Sequence, residues 1–398
     1  MNIRVRPHLA AYIWRRPMRS ERGMHVLHTF ANNDHVPYLS WFAERARAEG
    51  GVRYTFIILY PERPRMLDEM RGLGFNAEWI RYDDRHRKRG MLRALPHLWR
   101  LMRRYRPDIV HCHLFDDTLP GLIAARLAGV KVRVTTRQDT GYSWLYAPQW
   151  VFADRWNMRL STHVIAISSE CRDFLVQKEG TPAHKVSMVH NGIPPGPFTR
   201  QDPAVMARLR ERFGLAGRHP VVGTVARFIA WKGHRQIVDA ARELVKRHPR
   251  ALFLFCGGGG DENSVRAMVA EAGLQEHIRF TGWIDRAEIP SFFGVLDVYL
   301  HAAEMEPFGL VIAEAMMNAV PVVSTPTGAA LDAIEDGVNG VLARREGTAL
   351  AEGVERVLGT DARAMGAAGR ATALRLYPFE VMWRGTMDLY ARALGEQA

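Results

Sequence analysis

Short apolar runs rich in β-branched and aromatic residues alternate with longer amphipathic segments from residue 24 onward. Runs of the first kind are typical of buried strands, and the segments between them have the length and periodicity of helices. The alternation predicts parallel strands joined by right-handed helical crossovers, and therefore a doubly wound α/β sheet. In the first part of the chain the predicted strands are 25–30, 54–59, 78–82, 109–113, 132–136, 163–167 and 185–189.

The alternation stops at 192–203, where the sequence GIPPGPFTRQDP contains four prolines and two glycines. Because this composition disfavours both helix and strand, we expect an interdomain linker at 193–203. Rossmann-like domains are expected on either side of it, at 24–192 and at 204–378, each large enough to bury its own core. The strands predicted for the second domain are 221–226, 251–256, 278–281, 298–300, 320–324 and 340–342.

The final segment, 379–398, carries large apolar residues at helical spacing. They form a stripe that is too aromatic to be left in water. Following Pro378, this helix is expected to cross back to the first domain and lock the two domains together. The stripe consists of Phe379, Trp383, Met387, Tyr390 and Leu394.

Cysteine usage and hydropathy suggest where the protein works. Cys112, Cys171 and Cys256 are far apart and form no C-x-x-C pair, which argues against a disulfide framework or a structural zinc site. No apolar run approaches the roughly 18 residues that a membrane-spanning helix needs. We therefore expect a cytoplasmic protein.

Positive charge is concentrated in the N-terminal part. The net formal charge is +12, and residues 1–110 hold 22 Lys and Arg against 11 Asp and Glu. Residues 1–23 are interpreted as a basic arm and not as a signal peptide. The asymmetry indicates that the N-terminal half meets an anionic surface: lipid head groups, an anionic acceptor or nucleic acid. Nucleic acid is disfavoured, because binding it requires aromatics and cations interleaved on one surface, whereas the positive surplus here falls mainly on predicted Arg-rich helices.

The segment 85–106 carries much of this charge and is predicted to be a helix interrupted near Pro96. Either it packs on the first sheet with a solvated basic face, or its arginine row rests on anionic lipid as a peripheral membrane contact. The expected apolar face is Leu92, Leu95, Trp99 and Met102, and the expected basic face is Arg89, Arg93, Arg100 and Arg104.

Two carboxylates, Glu306 and Glu314, bracket a Pro-Phe-Gly turn that is expected to open into a helix at 309–318. Predicted strands flank this unit, so Glu306 would lie at the carboxyl end of a strand in a parallel sheet. Ligands of open α/β sheets bind at that edge, and helix N-termini offer N–H groups to phosphate, here those of Gly309 and Leu310. The alternative is that Glu306 caps the helix and Glu314 is a solvated surface residue.

Two cations follow another predicted strand. Arg227 comes directly after the apolar run 221–226, and Lys232 stands five residues later, just before Gly233 and a predicted helix. Cations in this position suit a diphosphate, because charge-assisted hydrogen bonds are roughly twice as strong as neutral ones. Ordinary surface cations in a solvated loop are the alternative.

Two histidines, His111 and His113, end a strand of the first domain and are followed by Asp116 and Asp117. The pattern raises a zinc hypothesis. It does not match an H-x-H-x-D run, however, because Phe115 stands where the first carboxylate would be. We therefore expect no metal site.

Together, these motifs resemble the retaining, nucleotide-sugar-dependent glycosyltransferases of the GT-B fold known as family 4. Residues Glu306 to Glu314 resemble the E-x7-E signature of that family, and residues 321–323 resemble its PVV strand. Its G-x-N-G turn is similar to 337–340, and its Arg-x4-Lys-Gly pattern to 227–233. The resemblance covers roughly residues 24–394. It implies that two doubly wound domains face each other across a cleft.

The resemblance also implies roles for single residues. Glu314 would accept hydrogen bonds from the ribose hydroxyls, and Glu306 would face the transferred sugar. The implied catalytic residues are His113, Arg227, Lys232 and Glu306. The implied donor site is Arg227, Lys232, Trp283 and Ile284 (in the stretch that looks like the base-binding loop), Glu306, Phe308, Gly309, Leu310 and Glu314.

Three stretches depart from the family pattern. The first β-to-α loop, 30–35, lacks the usual paired glycines, and the residues at 301–305 differ from the usual small polar ones. A later glycine pair with a following Glu is replaced by Gly328-Ala329 and Asp332.

The resemblance implies transfer of a sugar from a nucleoside-diphosphate sugar, with a UDP-linked donor expected and no cofactor required. The expected acceptor is a sugar, a glycolipid or a small molecule, in the synthesis of cell-envelope polysaccharide, lipopolysaccharide or glycolipid. The alternatives are another GT-B enzyme, such as a sugar-nucleotide epimerase or a phosphorylase, and a transferase acting on a soluble small molecule. The expected location is the cytoplasm, with peripheral contact to the membrane.

Overall fold

The computed structural model describes residues 23–83, 85 and 87–396. Its first domain is built on a parallel sheet of seven strands in the order β3-β2-β1-β4-β5-β6-β7. The strands are β1 (Met24–Ala31), β2 (Val52–Leu59), β3 (Asn76–Ile80), β4 (Ile109–Cys112), β5 (Val132–Arg137), β6 (His163–Ala166) and β7 (Val186–Met188).

Helices cover both faces of this sheet. The helices α1 and α2 lie over one face, and α3 and α4 pack over the other, with α6 against α4. The bounds are α1 (Pro37–Glu49), α2 (Arg65–Gly72), α3 (Arg87–Tyr105), α4 (Phe115–Leu127), α5 (Tyr142–Tyr146), α6 (Val151–Leu160) and α7 (Ser169–Asp173).

The expected linker is not free of secondary structure. Within 193–203 it contains a short helix, α8 (Pro195–Thr199). The prediction from composition was wrong on this point because proline is tolerated in the first turn of a helix, where its missing N–H would have no intrahelical partner. The chain passes from the first domain to the second at Ile193, and it returns to the first domain beside Ile193, between Tyr377 and Phe379. The Ile193 N–H donates to the Tyr377 carbonyl at 3.0 Å, and the Phe379 N–H donates to the Ile193 carbonyl at 2.9 Å.

The second domain holds a parallel sheet of six strands in the order β10-β9-β8-β11-β12-β13. With this sheet the prediction of two doubly wound domains is confirmed. Its strands are β8 (Val221–Val225), β9 (Leu252–Cys256), β10 (Ile278–Gly282), β11 (Val298–His301), β12 (Val322–Ser324) and β13 (Val341–Leu342). Its helices are α9 (Pro203–Phe213), α10 (His234–Arg247), α11 (Glu262–Glu271), α12 (Ile289–Phe293), α13 (Leu310–Met317), α14 (Gly328–Ala333), α15 (Gly347–Leu358) and α16 (Ala362–Leu376).

The last helix, α17 (Phe379–Gly395), returns to the first domain, as predicted from its apolar stripe. Trp383 packs against Phe42 of α1, with ring centroids 5.2 Å apart, and its indole N–H donates to Glu49 at 3.2 Å. The Tyr390 ring is fully buried and meets His111 of β4. The helix therefore completes the core of the first domain.

The prediction for 85–106 was wrong in two respects. Helix α3 runs without a break through Pro96, and the residues it buries are Met91, Ala94, Leu98 and Met102. Leu92 and Trp99, which the helical spacing assigns to the packed face, are 73% and 40% exposed. Apolar residues occupy two neighbouring stripes of this helix, and contact with the sheet and α4 decided which stripe is buried.

The basic arm predicted at 1–23 lies outside the described residues except for Gly23. Among the helices that the structure describes, none combines the length and the apolar character needed to cross a bilayer.

Candidate active site

The loop after β8 delivers Lys232 to the carboxyl edge of the second sheet. Gly233 follows it with a φ of +75°, and a Cβ there would lie 1.9 Å from the carbonyl oxygen of Ala302, just beyond β11. A side chain at this position would both strain the backbone and clash, so glycine permits the close approach. As a result the Lys232 ammonium contacts the carboxylate of Glu306.

Glu306 is an ion-paired carboxylate at this edge. Its Oε2 atom accepts a hydrogen bond from Lys232 and lies 3.4 Å from Nε2 of His301. Burial alone would raise the pKa of Glu306, but the hydrogen bonds and charges of His301 and Lys232 outweigh it and lower the pKa to about 2. Glu306 is therefore a fixed anion, and it is unsuited to act as a general acid near neutral pH.

Glu314 lies on α13 and is only 5% exposed, so the alternative of a solvated surface residue is excluded. Its Oε1 atom is 3.4 Å from the Arg286 guanidinium. Burial raises the pKa of Glu314 to about 7, and Arg286 offsets only part of this effect. A buried carboxylate with few protein partners retains the capacity to bind hydroxyl groups of a ligand.

The turn between the two carboxylates has a defined conformation. Gly309 immediately precedes α13 and has a φ of +83°. A Cβ added at Gly309 would lie 2.9 Å from the Glu306 side chain. Phe308 is buried and packs edge-on against Tyr377 at 5.2 Å, which anchors the turn in the core. The main chain of Gly309 and Leu310 is thereby held beside Glu306.

Arg227 and the expected base-binding loop occupy the same edge of the sheet. Arg227 is exposed just after β8 and forms no salt bridge with any residue that the structure describes. Trp283 is 68% exposed, whereas the Ile284 side chain is buried in the core, so that only its main chain could meet a ligand. The indole nitrogen of Trp283 lies over Gly258, 2.9 Å from the position that a Cβ at residue 258 would occupy.

At the edge of the first sheet, His113 is buried and linked to a second histidine. Its Nε2 atom is 2.8 Å from Nδ1 of His28 on β1. Burial, reinforced by His111 and His28, holds the pKa of His113 well below its usual range. His113 is therefore a neutral imidazole that can donate or accept a hydrogen bond but carries no charge.

One ring nitrogen each of His28, His111 and His113 lies within 4.8 Å of the other two, a spacing at which the three could bind a metal ion. Both ring nitrogens of His111 already have partners, Tyr390 Oη at 2.5 Å and Thr136 Oγ1 at 2.7 Å. His28 and His113 use one nitrogen each on the other.

The acids that follow these histidines are engaged elsewhere. Asp117 accepts from Thr29 Oγ1 at 2.7 Å and from the Leu114 N–H at 3.0 Å, and Asp116 accepts from Asn32. Nε2 of His28 and Nδ1 of His113 are buried and have no hydrogen-bond partner among the described residues. The expectation of no metal site stays a prediction.

The carboxyl edges of the two sheets face each other, and polar contacts join them. Ser168 Oγ donates to the Pro307 carbonyl at 2.7 Å, and Glu170 accepts from the Gly328 N–H at 2.8 Å. His190 is 2.9 Å from Asp332, the residue that replaces the usual Glu. These contacts close the side of the cleft next to the Glu306 turn.

Aromatic residues meet across the cleft near Lys232. Tyr142 and Tyr146 of α5 pack against Trp231 of the second domain, with ring centroids 6.3 and 5.3 Å apart. Residues that sequence analysis did not assign here are His28, Trp231 and Arg286. The only signal for Trp231 was its position beside Lys232, and His28 is 85 residues from its partner.

Comparison with known proteins identifies the family. The family described as "Glycosyl transferases group 1" matches residues 205–372, and "Glycosyltransferase Family 4" matches residues 42–196. The chain is 30% identical over 309 residues to the 2-deoxystreptamine glucosyltransferase of Streptomyces kanamyceticus, a match covering 74% of this chain and 77% of the relative.

A second relative is a GDP-mannose-dependent alpha-(1-6)-phosphatidylinositol monomannoside mannosyltransferase of Mycolicibacterium smegmatis. It is 34% identical over 197 residues, which cover 46% of this chain and 51% of the relative. The crystal structure of Anabaena HepE in complex with UDP and glucose has a TM-score of 0.78 and 20% identity, covering 93% of this chain and 100% of that one.

This chain belongs to glycosyltransferase family 4 and has the GT-B fold. It is a glycosyltransferase, as the resemblance implied.

Proposed function

We propose that the protein transfers a sugar from a UDP-linked donor with retention of anomeric configuration. The observation that carries the proposal is the pairing of Lys232 with Glu306 beside the buried Glu314, at the carboxyl edge of the second sheet. Such an edge is where open α/β sheets bind nucleotides. The complex of Anabaena HepE with UDP and glucose supports a UDP-linked donor, and the GDP-mannose dependence of the mycobacterial relative defines the rival.

In this proposal the leaving diphosphate is stabilised by Arg227, Lys232 and the main-chain N–H groups of Gly309 and Leu310. Preorganised positive charge of this kind is usually the largest electrostatic contribution to catalysis, so no metal ion or other cofactor is required. Glu306 holds the Lys232 ammonium in place and faces the transferred sugar. With its pKa near 2, Glu306 offers no proton to the leaving group.

Glu314 accepts hydrogen bonds from the ribose hydroxyls, and the Trp283 loop receives the base. His113 acts on the transferred sugar as a neutral hydrogen-bonding group from the opposite domain. Of the acids that follow β4, Asp116 and Asp117 are both engaged with the protein, so neither stands free as an inverting base. This arrangement favours retention.

For the acceptor we propose a sugar or glycolipid in cell-envelope polysaccharide, lipopolysaccharide or glycolipid synthesis. The mycobacterial relative, whose name states a phosphatidylinositol mannoside, supports a lipid-linked acceptor. The rival is a soluble small molecule, which the 2-deoxystreptamine glucosyltransferase supports. A sugar-nucleotide epimerase on the same fold is the other rival, and it would need no acceptor.

We further propose that helix α3 rests on anionic lipid at the cytoplasmic face of a membrane. Arg89, Arg93 and Arg100 are exposed beside Leu92 and Trp99, whereas Arg104 lies 3.7 Å from Glu78. At about 1 kcal/mol per cation near an anionic surface, three arginines contribute roughly a hundredfold in partitioning at low salt. An Arg89/Arg93/Arg100→Gln variant should lose the salt-sensitive part of vesicle binding, and its retention would overturn this part of the proposal.

A panel of nucleotide sugars scored by released nucleotide tests the donor, with lipid-linked and soluble acceptors supplied separately. We expect UDP to be released only when an acceptor is present, and the product to keep the anomeric configuration of the donor. Interconversion of the donor sugar without acceptor would instead establish an epimerase. Release of GDP alone would correct the nucleotide and leave the transferase assignment standing.

A further inference from the structure

The segment from α5 to α6 exposes a series of large apolar side chains on the first domain. Soluble monomeric domains normally expose such residues singly, and larger apolar patches mark interaction sites. We call this series the α5–α6 surface. It consists of Tyr142, Leu145, Tyr146, Phe152 and Trp156, which are 45%, 64%, 46%, 53% and 50% exposed.

The charge on this surface has one sign. Asp154, the one acidic residue between 142 and 159, is buried and lies 3.3 Å from the Arg137 guanidinium. Arg155 and Arg159 are exposed on the same helix as Phe152 and Trp156, and the Arg159 guanidinium lies 5.6 Å from the centre of the Trp156 ring. Two arginines therefore lie next to the exposed aromatic rings of α6, and no acid between residues 142 and 159 is exposed.

A groove of about 570 Å³ opens beside the two arginines. Its one acid, Glu179, is committed to Arg137, with 2.7 Å between Oε1 and Nη2, so the groove presents no uncommitted carboxylate among its lining residues. Phosphate oxygens are the natural ligands for such a lining. Its cations are Arg155, Arg159, Lys178 and Lys185.

The α5–α6 surface is continuous with the reaction cleft. Tyr142 and Tyr146 contact Trp231 of the second domain, and Trp231 immediately precedes Lys232 at the donor edge. A partner held on this surface would therefore present its polar part directly to the cleft.

We propose that the α5–α6 surface inserts into the interfacial region of an anionic phospholipid bilayer, with lipid phosphates in the adjoining groove. Tyr and Trp favour the membrane–water interface, and neighbouring cations add attraction to anionic head groups. The inference rests on the proposed function in that it identifies the acceptor as a membrane lipid brought to the cleft. It differs from the contact proposed for α3 because insertion of apolar side chains persists at high salt.

Vesicles of phosphatidylcholine with increasing phosphatidylglycerol provide the test, using the full chain without donor. A Phe152→Ser/Trp156→Ser variant should lower the partitioning that survives high salt by about tenfold or more, since each side chain loses its apolar transfer. The matched control is Leu331→Ser/Val338→Ser, which removes two exposed apolar side chains from the second domain and should bind as the parent does.

A probe at the surface itself makes the test direct. Cys112, Cys171 and Cys256 are all buried, so a thiol introduced as Phe152→Cys can be labelled selectively with an environment-sensitive fluorophore. We expect its emission to shift to the blue on addition of anionic vesicles. An unshifted emission while the protein sediments with the vesicles would overturn the proposal.

Other occupants give different results. Self-association on this surface would appear as a dimer in solution that Phe152→Ser/Trp156→Ser disperses, with no vesicle binding, and would overturn the proposal. Full competition by soluble glycerol phosphate would reduce the groove to a free-anion site and do the same. Because no donor is used, failure here leaves the transfer proposal standing, and an inactive donor panel leaves the vesicle result standing.

Discussion

The two sheet edges that face the cleft use opposite kinds of chemistry. The edge of the second domain is built from paired charges, Lys232 with Glu306 and Arg286 with Glu314. The edge of the first domain is built from neutral, buried imidazoles, His28 bonded to His113. A leaving diphosphate requires compensating charge, whereas a sugar hydroxyl requires only a positioned hydrogen-bonding group, so the division matches the two halves of a transfer reaction.

The largest effect should follow from breaking the charged edge. We expect Lys232→Ala to lower turnover by about ten- to a hundredfold, because it removes a charge-assisted contact of about 1.5–3 kcal/mol and leaves Glu306 without its main partner. Turnover and the calorimetric affinity for UDP measure this, and unchanged thermal stability shows that the fold survives. Arg235→Ala, an exposed change three residues further on, is the control and should be neutral. Unchanged UDP affinity and turnover in the Lys232 variant would remove this residue from the site.

A smaller loss is expected at Glu314. Glu314→Gln keeps the shape of the side chain but removes the anion that receives the ribose hydroxyls, and should weaken UDP-glucose binding by roughly tenfold. The same change in Glu304, a half-exposed residue outside the proposed site, provides the control. Equal affinities for the Glu314 variant and the parent would contradict the ribose assignment.

Glu314 should also make stability depend on pH. Its pKa in the folded protein, about 7, lies above the ordinary value of 4.5, so between these values the folded state holds a proton that the unfolded chain has lost. The free energy of unfolding should therefore fall as pH rises through this window. Denaturation curves of Glu314→Gln should lack that part of the slope, and parallel profiles for the two proteins would show that the carboxyl titrates normally.

The neutral edge can be tested through the last helix. Tyr390→Phe deletes the hydroxyl that bonds His111, leaves a buried nitrogen without a partner, and should cost about 1–3 kcal/mol of unfolding free energy. Tyr54→Phe is the matched control, because the buried Tyr54 hydroxyl has no partner among the described residues. Equal losses in both variants would mean that the bond to His111 contributes nothing specific.

No effect at all is expected from metal removal. If His28, His111 and His113 hold no metal ion, as the sequence predicts, turnover should survive dialysis against EDTA. Zinc added to the dialysed enzyme should then bring no recovery beyond the starting rate. Loss of turnover on chelation with restoration by zinc would show that the histidines hold a metal. The interpretation of this edge as neutral imidazoles without a metal would then be wrong.

Much of the second domain's edge could be predicted because its residues are close in the chain. Glu306, Gly309 and Glu314 belong to one strand-turn-helix unit, so local propensity and spacing already place them at the carboxyl end of a strand. The pairing of Lys232 with Glu306 could not be predicted from spacing, because it depends on the close approach of Gly233 to Ala302. That approach, like the contacts of His301 and Arg286 with the two carboxylates, requires the strands to be in register. The sequence indicated which cations and acids lie at the edge, and the fold decided which of them pair.

The first domain shows the limit of such reasoning. Its strands and the returning helix α17 followed from hydrophobic periodicity alone, because a stripe of large apolar residues must be buried somewhere. Periodicity could not decide which of two apolar stripes of α3 faces the sheet, or that Leu92 and Trp99 remain exposed. It also could not bring His28 to His113, since that contact depends on the pairing of β1 with β4. Local pattern thus determined the elements and their order, whereas burial, ion pairing and protonation were decided by neighbours distant in the chain, because each depends on what excludes water from a given side chain.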